Sequence, residues 1–366
     1  MASFIKRGKS WQYTVSHYVN GKLKPIRKGG FRTKKEAQVA AMEVETKLNK
    51  GIKVAIKPKP FNIYFEKWIS LYKSNLDSTT QYHYKNTLNI ISSYFNDIPI
   101  QEIEKSDYQL FLNKVGENRA KETMKKINSQ IRACVLEAID EEIIHRDFTR
   151  NIVLTGNDGK PVEEKFLHWG ESEILLDVLL KNLDNSVVYY VILLALTSGM
   201  RFGEMIGLTR NDFDFKNNTI KINKTRRYLP TSDAEIKKTK TKESNRIIKM
   251  DNRTMSEFKK MFAKTPDNIY QLVFYSPASK YKVISNTAVN KSLKKLLISL
   301  KIEPVSIHGM RHTHASILLY KGISIHYVSE RLGHADVDTT IRVYSHMIKE
   351  LRERDEKKML EVFAQI

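Results

Sequence analysis

The chain has 366 residues, is 41% hydrophobic and 28% charged, and carries a formal net charge of +21. Such a length exceeds what one compact core usually organises, so two or three domains are expected. The composition is that of a globular chain, which excludes wholesale disorder. A single cysteine, Cys134, excludes an intrachain disulfide framework and a cysteine-built zinc site. The positive surplus calls for a polyanionic partner, nucleic acid above all.

The charge is uneven. Residues 1–60 hold fifteen Lys or Arg against three Glu, a net of +12. That is a basic module ahead of a more balanced body. The start, MASFIKRGKSWQY, has no apolar signal stretch, and the longest clean apolar run, Val187–Leu196, is half of the roughly twenty residues that a spanning helix needs. The expectation is a cytoplasmic protein with no membrane partner.

In chain order, residues 1–32 predict short strands. Trp11, Tyr13 and Val15 alternate with polar neighbours, Asn20-Gly21 is a hairpin turn, and Gly29-Gly30 marks a second break. Thr33 and Glu36 form a capping box that starts a helix running to about Lys50. Gly51 to Pro60 reads as a linker. Residues 61–154 are helical by period: Phe65, Trp68, Ile69 and Tyr72 open the first helix, and Thr79–Phe95, Lys105–Val115 and Glu122–Glu142 give three more. The turn-rich segment 155–163 is a boundary. Beyond it the pattern is mixed. Helices are expected near Glu171–Leu183 and Ser186–Thr197, a strand pair near Thr219–Thr225 and Arg246–Met250 with a polar hairpin between, then more helices and an amphipathic tail, Ile348–Ile366. The fold class is thus multidomain α+β. Residues 1–55 form a small basic sheet-plus-helix domain, 56–160 an all-helical domain, and 161–366 a mainly helical domain with a small sheet.

Four clusters in the last region could carry chemistry. In Thr197-Ser-Gly-Met-Arg201-Phe-Gly-Glu204, Gly199 can end the apolar helix and leave Arg201 on a rigid mount. The bland alternative is an Arg paired with Glu204 at a helix start. In Ser306-Ile-His308-Gly-Met-Arg311-His312-Thr-His314, His308 and Arg311 share a helical face. The histidine spacings do not match a metalloprotease helix, so no metal is expected, and His312 and His314 are expected to pack or to face solvent. Glu330-Arg-Leu-Gly-His334 is a helix ending in Gly333 with a His behind it. In Asp338-Thr-Thr-Ile-Arg-Val-Tyr344, Asp338 can cap a helix that presents Tyr344 two turns on. Tyr344 is one of seventeen tyrosines, and alone it would be core.

Taken together and in order, Arg201, a hairpin Lys, His308-x-x-Arg311, Leu332-Gly-His334 and Tyr344 ten residues on resemble the catalytic domain of the tyrosine recombinases, specifically the phage and conjugative-transposon integrases. The resemblance spans roughly Phe166 to Met347. The helical region before it is similar to the family's core-binding domain, and the basic start to its arm-type DNA-binding domains. The resemblance implies that Arg201 and Arg311 grip the scissile phosphate, His308 and His334 assist, and Tyr344 is the nucleophile. It also implies a hairpin lysine as general acid. Spacing to the second strand favours Lys240, with Lys238 and Lys242 still open. Lys249 stands where many relatives have proline.

The chemistry suits these residue types. Attack on a phosphodiester gathers negative charge on the nonbridging oxygens, which two fixed guanidinium groups can hold. About one tyrosine in a thousand is ionised at pH 7, so nearby cations and a histidine base are needed. The implied product is a 3′-phosphotyrosine that a second DNA end resolves through a Holliday junction, with no cofactor and no metal. The implied partners are double-stranded DNA at core and arm sites, three further copies in a homo-tetramer, an excisionase and a DNA-bending protein. The implied setting is the nucleoid of a bacterial host. In the basic module, Lys22, Lys24, Arg27 and Lys28 are the candidate DNA contacts. The tail can pack on its own domain, and the resemblance implies docking on a neighbouring protomer. Two rivals remain: a type IB topoisomerase, and a DNA-binding regulator without catalysis.

Overall fold

The computed structural model describes residues 2–19, 22–49, 58–159, 166–229, 232–238 and 244–344, and in the tail residues 356, 359–361 and 364. The chain divides into two compact units, Met1–Gly159 and Lys160–Ile366.

The first unit opens with a three-stranded antiparallel sheet in the order β1 (Ala2–Arg7), β2 (Ser10–Val15), β5 (Ile26–Phe31). Tyr13 and Val15 of β2 are buried with Ala41 of helix α1 (Lys34–Asn49), so alternation in β2 selects the face that the helix covers. Thr33 Oγ1 accepts from the Glu36 amide, and Glu36 reaches back to the amide of Arg32, one residue before the expected partner. Between β2 and β5 lies a small ribbon, β3 (Tyr18–Val19) with β4 (Lys22–Leu23). The Asn20-Gly21 turn itself is outside the described residues. Gly29-Gly30 does not break the chain as expected. Both lie inside β5, where pairing with β2 shifts register between Trp11 and Tyr13, and Gly30 takes φ +93. An irregular pairing absorbs the glycine without ending the strand.

The remainder of this unit is helical: α2 (Phe61–Tyr72), α3 (Ser78–Phe95), α4 (Lys105–Gly116) and α5 (Lys121–Asp140). Their buried faces form one core that includes Phe61, Phe65, Phe95, Phe111, Tyr108 and Cys134. Asp77 Oδ1 accepts from the Thr79 and Thr80 amides and fixes the start of α3.

The second unit is organised around α7 (Val187–Ser198). Its sequence, VVYYVILLALTS, is apolar all round, and α6 (Trp169–Lys181), α9 (Asn252–Lys264), α10 (Asn286–Ser299) and α11 (Ile307–Tyr320) surround it. Val191, Ile192, Leu193 and Leu194 are each 0% exposed. At about 1.5–3 kcal/mol per buried aliphatic side chain, α7 is the main apolar anchor of this unit. Its C-terminus therefore offers a fixed point. Gly199 caps it in the left-handed region at φ +67, and the short helix α8 (Phe202–Met205) follows.

The strand pair is present but differently framed. β10 (Arg246–Lys249) pairs with β7 (Thr219–Ile222), which pairs with β6 (Phe213–Asp214). The polar segment between is a hairpin, as expected. β8 (Lys224–Leu229) and β9 (Ser232–Lys238) form a separate two-stranded ribbon. After α11 come α12 (Ile325–Leu332) and α13, residues 337–344, which ends on Tyr344 among the described residues. The described tail residues are helical and exposed. No described helix is long and apolar enough to cross a membrane.

Candidate active site

The site is built on the C-terminal end of α12, where backbone carbonyls lack helical partners. The Leu332 carbonyl accepts from Arg311 Nη2 at 2.9 Å and from Arg201 Nη1 at 3.5 Å, and the Gly333 carbonyl accepts from Arg201 Nη2 at 3.1 Å. The negative end of the helix dipole thus draws two guanidinium groups together. Gly333 supplies the left-handed cap at φ +67. Arg311 also donates from Nη1 to the Gly199 carbonyl at 2.8 Å, which ties it to the end of α7. A Cβ on Gly199 would lie 2.6 Å from His314 Cδ2, so the turn that offers this carbonyl demands glycine on both φ and space.

Arg201 pairs with Glu204, the bland alternative for its cluster, and keeps an accessible guanidinium. Its amide and its Nη1 bond the two Glu204 oxygens at 3.0 and 2.9 Å, yet its side chain stays 39% exposed. Arg311, by contrast, is 3% exposed. Burial and the Arg201 charge lower the Arg311 pKa to about 9, which leaves it protonated at neutral pH. Glu204 is buried and shared: Arg246 of β10 donates from Nη2 to Oε2 at 2.9 Å and from Nη1 to Oε1 at 3.3 Å. Burial alone would raise the Glu204 pKa. The ion pairs and hydrogen bonds with Arg246 and Arg201 overcome it and hold the carboxylate below its ordinary range. Two guanidinium groups on one carboxylate, with Arg311 beside them on the Leu332 carbonyl, leave a positive surplus, an electrostatic setting for an anion with phosphate geometry.

Arg246 was not singled out by sequence reasoning. It lies 42 residues from Glu204 in the chain, and no local spacing links the two. Its Nε also donates to the Arg331 carbonyl at 2.7 Å, so it pins β10 to the last turn of α12.

The three histidines of α11 go separate ways. Ser306 Oγ caps the helix at the Gly309 amide. His308 is exposed on the face it shares with Arg311, and desolvation by its surroundings, then Arg311 and Arg201, lower its pKa. His314 is buried: its Nδ1 lies 2.8 Å from the Leu196 carbonyl, and Arg331 Nε donates to its Nε2 at 3.0 Å. Those partners define a neutral ring protonated on Nδ1. His312, expected to pack or face solvent, instead sets Nδ1 3.0 Å from the Tyr344 hydroxyl.

His334 is half-buried, with Nδ1 2.7 Å from Thr340 Oγ1 of α13. Burial and then the charges of Arg311 and Arg201 lower its pKa to about 4, so the ring is neutral near pH 7. Asp338 does not cap α13. Asp336 does, its Oδ1 accepting from the Thr339 amide at 2.7 Å. Tyr344 is 2% exposed, and burial raises its pKa to about 12 against an opposing effect of Arg311. The structure therefore brings Arg201, His308, Arg311, His334 and Tyr344 to one neighbourhood. Lys240 and Lys242 lie outside the described residues, as does the chain from 239 to 243, and of the Lys238 side chain nothing is described.

In the basic module, Lys24, Arg27 and Lys28 are exposed. Cross-strand partners share a face. Lys28 sits opposite Tyr13, on the side that α1 covers, whereas Arg27 sits opposite Thr14 and Thr14 opposite Ser3, on the open side. Lys22 belongs to β4, and its side chain is outside the described residues.

The sequence profile of the Phage integrase family matches residues 165–350, half of the chain. The chain belongs to the phage integrase family. Profiles described as Arm DNA-binding domain and as Phage integrase, N-terminal SAM-like domain match residues 3–48 and 61–116. The chain is 26% identical over 346 residues to the integrase of Staphylococcus phage L54a, covering 87% of this chain and 97% of that protein. It also resembles the fold of the Tn1549 transposon integrase in complex with transposon right end DNA (TM-score 0.69, 18% identity, 81% of this chain and 99% of that one). A lambda integrase tetramer bound to a Holliday junction gives a TM-score of 0.56 at 16% identity, covering 88% of this chain and 89% of that one. The integrase is a tyrosine-type site-specific DNA recombinase, a DNA strand transferase.

Proposed function

We propose that the recombinase cuts DNA by attack of the Tyr344 hydroxyl oxygen on the scissile phosphorus. A P–O bond forms to tyrosine, the bond to the 5′ oxygen breaks, and the strand is held as a 3′-phosphotyrosine. Arg201 and Arg311 hold the nonbridging oxygens. His308 and His334 assist, and Lys240 gives the leaving 5′ oxygen its proton. The 5′ end of a second duplex then reverses the step, through a Holliday junction. The bond energy is kept in the phosphotyrosine, so no nucleotide cofactor is needed.

One observation carries this reading: two guanidinium groups share the C-terminal carbonyls of α12, and His334 and the helix bearing Tyr344 follow directly from that same turn. Arg201 keeps part of its fork open to a ligand, and a neutral His334 in the tautomer whose Nδ1 accepts from Thr340 has Nε2–H to donate. Guanidinium charge stands where a metal would act as Lewis acid, which supports metal-independent exchange. Tyr344 is seated against His312, next to Arg311 on α11 of the same chain, which supports attack within the protomer's own site.

The partners follow from the same reading. The domain of residues 1–55 holds arm sites, with Arg27 on the open face better placed than Lys28. The domains of residues 56–160 and 161–366 hold the core site. Four copies act together on DNA, as in the lambda assembly, with the C-terminal tail exchanged between neighbours, and an excisionase and a DNA-bending protein set direction. The site of action is the bacterial nucleoid. Tyr344→Phe tests the central step. The variant binds DNA and forms no covalent adduct on a denaturing gel. An adduct formed by the Phe variant contradicts it.

A further inference from the structure

A tyrosine whose hydroxyl is buried needs a proton acceptor in place before it can attack. The groups within reach of Tyr344 are therefore decisive. His312 Nδ1 stands 3.0 Å from the hydroxyl, with the two ring centroids 5.8 Å apart. This is hydrogen-bond reach, the first requirement for a general base. His312 is the residue next to Arg311 on α11, and the His308 ring packs edge-on against it at 5.0 Å. The spacings 308–311 and 308–312 set Arg311 and His312 on either side of His308 around α11. The acceptor nitrogen is therefore mounted on the same turn as the guanidinium proposed to hold the phosphate.

We propose that His312 is a catalytic residue of this recombinase: its Nδ1 takes the proton of the Tyr344 hydroxyl as the oxygen attacks phosphorus. The proposal rests on Tyr344 being the nucleophile. The O–H bond of Tyr344 breaks and its proton passes to the Nδ1 lone pair, giving an imidazolium. The new P–O bond forms with the oxygen's electron pair. The bond to the 5′ oxygen breaks, and that oxygen takes its proton from the Lys240 ammonium, the acid of the proposed function. In the reverse step, imidazolium returns the proton to the departing tyrosine, so His312 acts once in each direction. The ring must present Nδ1 as acceptor and hold its own proton on Nε2. This role separates the base from His308, which is exposed on the face it shares with Arg311 and is left to the phosphate.

His312→Asn is the test, since Asn offers an oxygen near the place of Nδ1 and can hold the hydroxyl without taking its proton. Wild type and variant are given a nicked duplex carrying the core site that the wild-type protein footprints. DNA binding and circular dichroism establish that the variant is folded and loaded. Covalent adduct then forms at least tenfold more slowly in the variant, within the roughly 10²–10⁴-fold range of a positioned base. The defect persists on a substrate with sulfur at the 5′ bridging position, whose leaving group needs no acid. A loss below tenfold shows that holding the hydroxyl suffices and overturns the proposal. Recovery on the sulfur substrate makes His312 an acid and overturns it too. Wild-type adduct that does not map to Tyr344 overturns the nucleophile assignment itself, a separate failure.

Discussion

At the scale of single residues, the central device is a carboxylate that serves two arginines. Glu204 is 3% exposed and bonds Arg201 from its own turn and Arg246 from β10. The first contact was legible, because Arg201 and Glu204 are three apart. The second was not, because only tertiary folding joins positions 204 and 246. Glu204→Gln keeps the shape and removes the charge. With both Glu204 and Arg246 buried, the variant leaves Arg246 a buried cation without its counter-charge. It is expected to lose on the order of 3 kcal/mol of stability in urea unfolding. A loss under about 1 kcal/mol contradicts this account of the cluster. His312 gives a second lesson. Sequence reading assigned it, with His314, a packing or solvent-facing fate, and the contact to Tyr344 depends on where α13 returns, 32 residues later.

At the scale of elements, apolar pattern located α7 and the helices of residues 61–154 well, because each buries a continuous apolar surface. It failed where two solutions were locally equivalent. Asp336 and Asp338 both suit an N-cap, and the choice falls to Asp336 because its carboxylate meets the Thr339 amide. Gly29-Gly30 suits a break or an irregular strand, and pairing with β2 decides for the strand. The polar stretch after β7 has weak patterning, so it was read as a hairpin without strand bounds, which the ribbon of β8 and β9 supplies. His314 shows what burial of one element against another costs. Its pKa is lowered to about 3, by burial first and then by Arg331, from an unfolded value near 6.5. The unfolded chain therefore takes up the proton first, and stability falls as pH drops below about 6.5. His334, lowered to about 4, acts in the same direction over an overlapping window. Between pH 7 and pH 5 the His314 contribution amounts to about 2 kcal/mol. Urea midpoints at the two pH values are expected to converge more in His314→Gln than in wild type. An equal loss in both proteins contradicts the assignment.

At the scale of the whole molecule, charge distribution was the first functional signal, and +12 of the net +21 lies in residues 1–60. Removing residues 1–55 is expected to spare core-site binding and to weaken distal-site binding, with a shallower salt dependence in gel-shift titrations. Unchanged distal binding contradicts the arm assignment. The order Arg, Lys, His-x-x-Arg, Gly-His, Tyr was readable because chemistry constrains residue type more tightly than packing does. What stayed hidden was the frame that aims those residues, since carbonyls at the end of α12 carry no sequence signature. Tyr344 remains the centre of the account: buried, bonded to His312, and on the helix that follows His334. The most direct measurement is peptide mapping of the covalent adduct formed by the full-length protein on a nicked core-site duplex. The account predicts a single phosphotyrosine at Tyr344. An adduct on any other residue, or none from protein that binds the site, would contradict it.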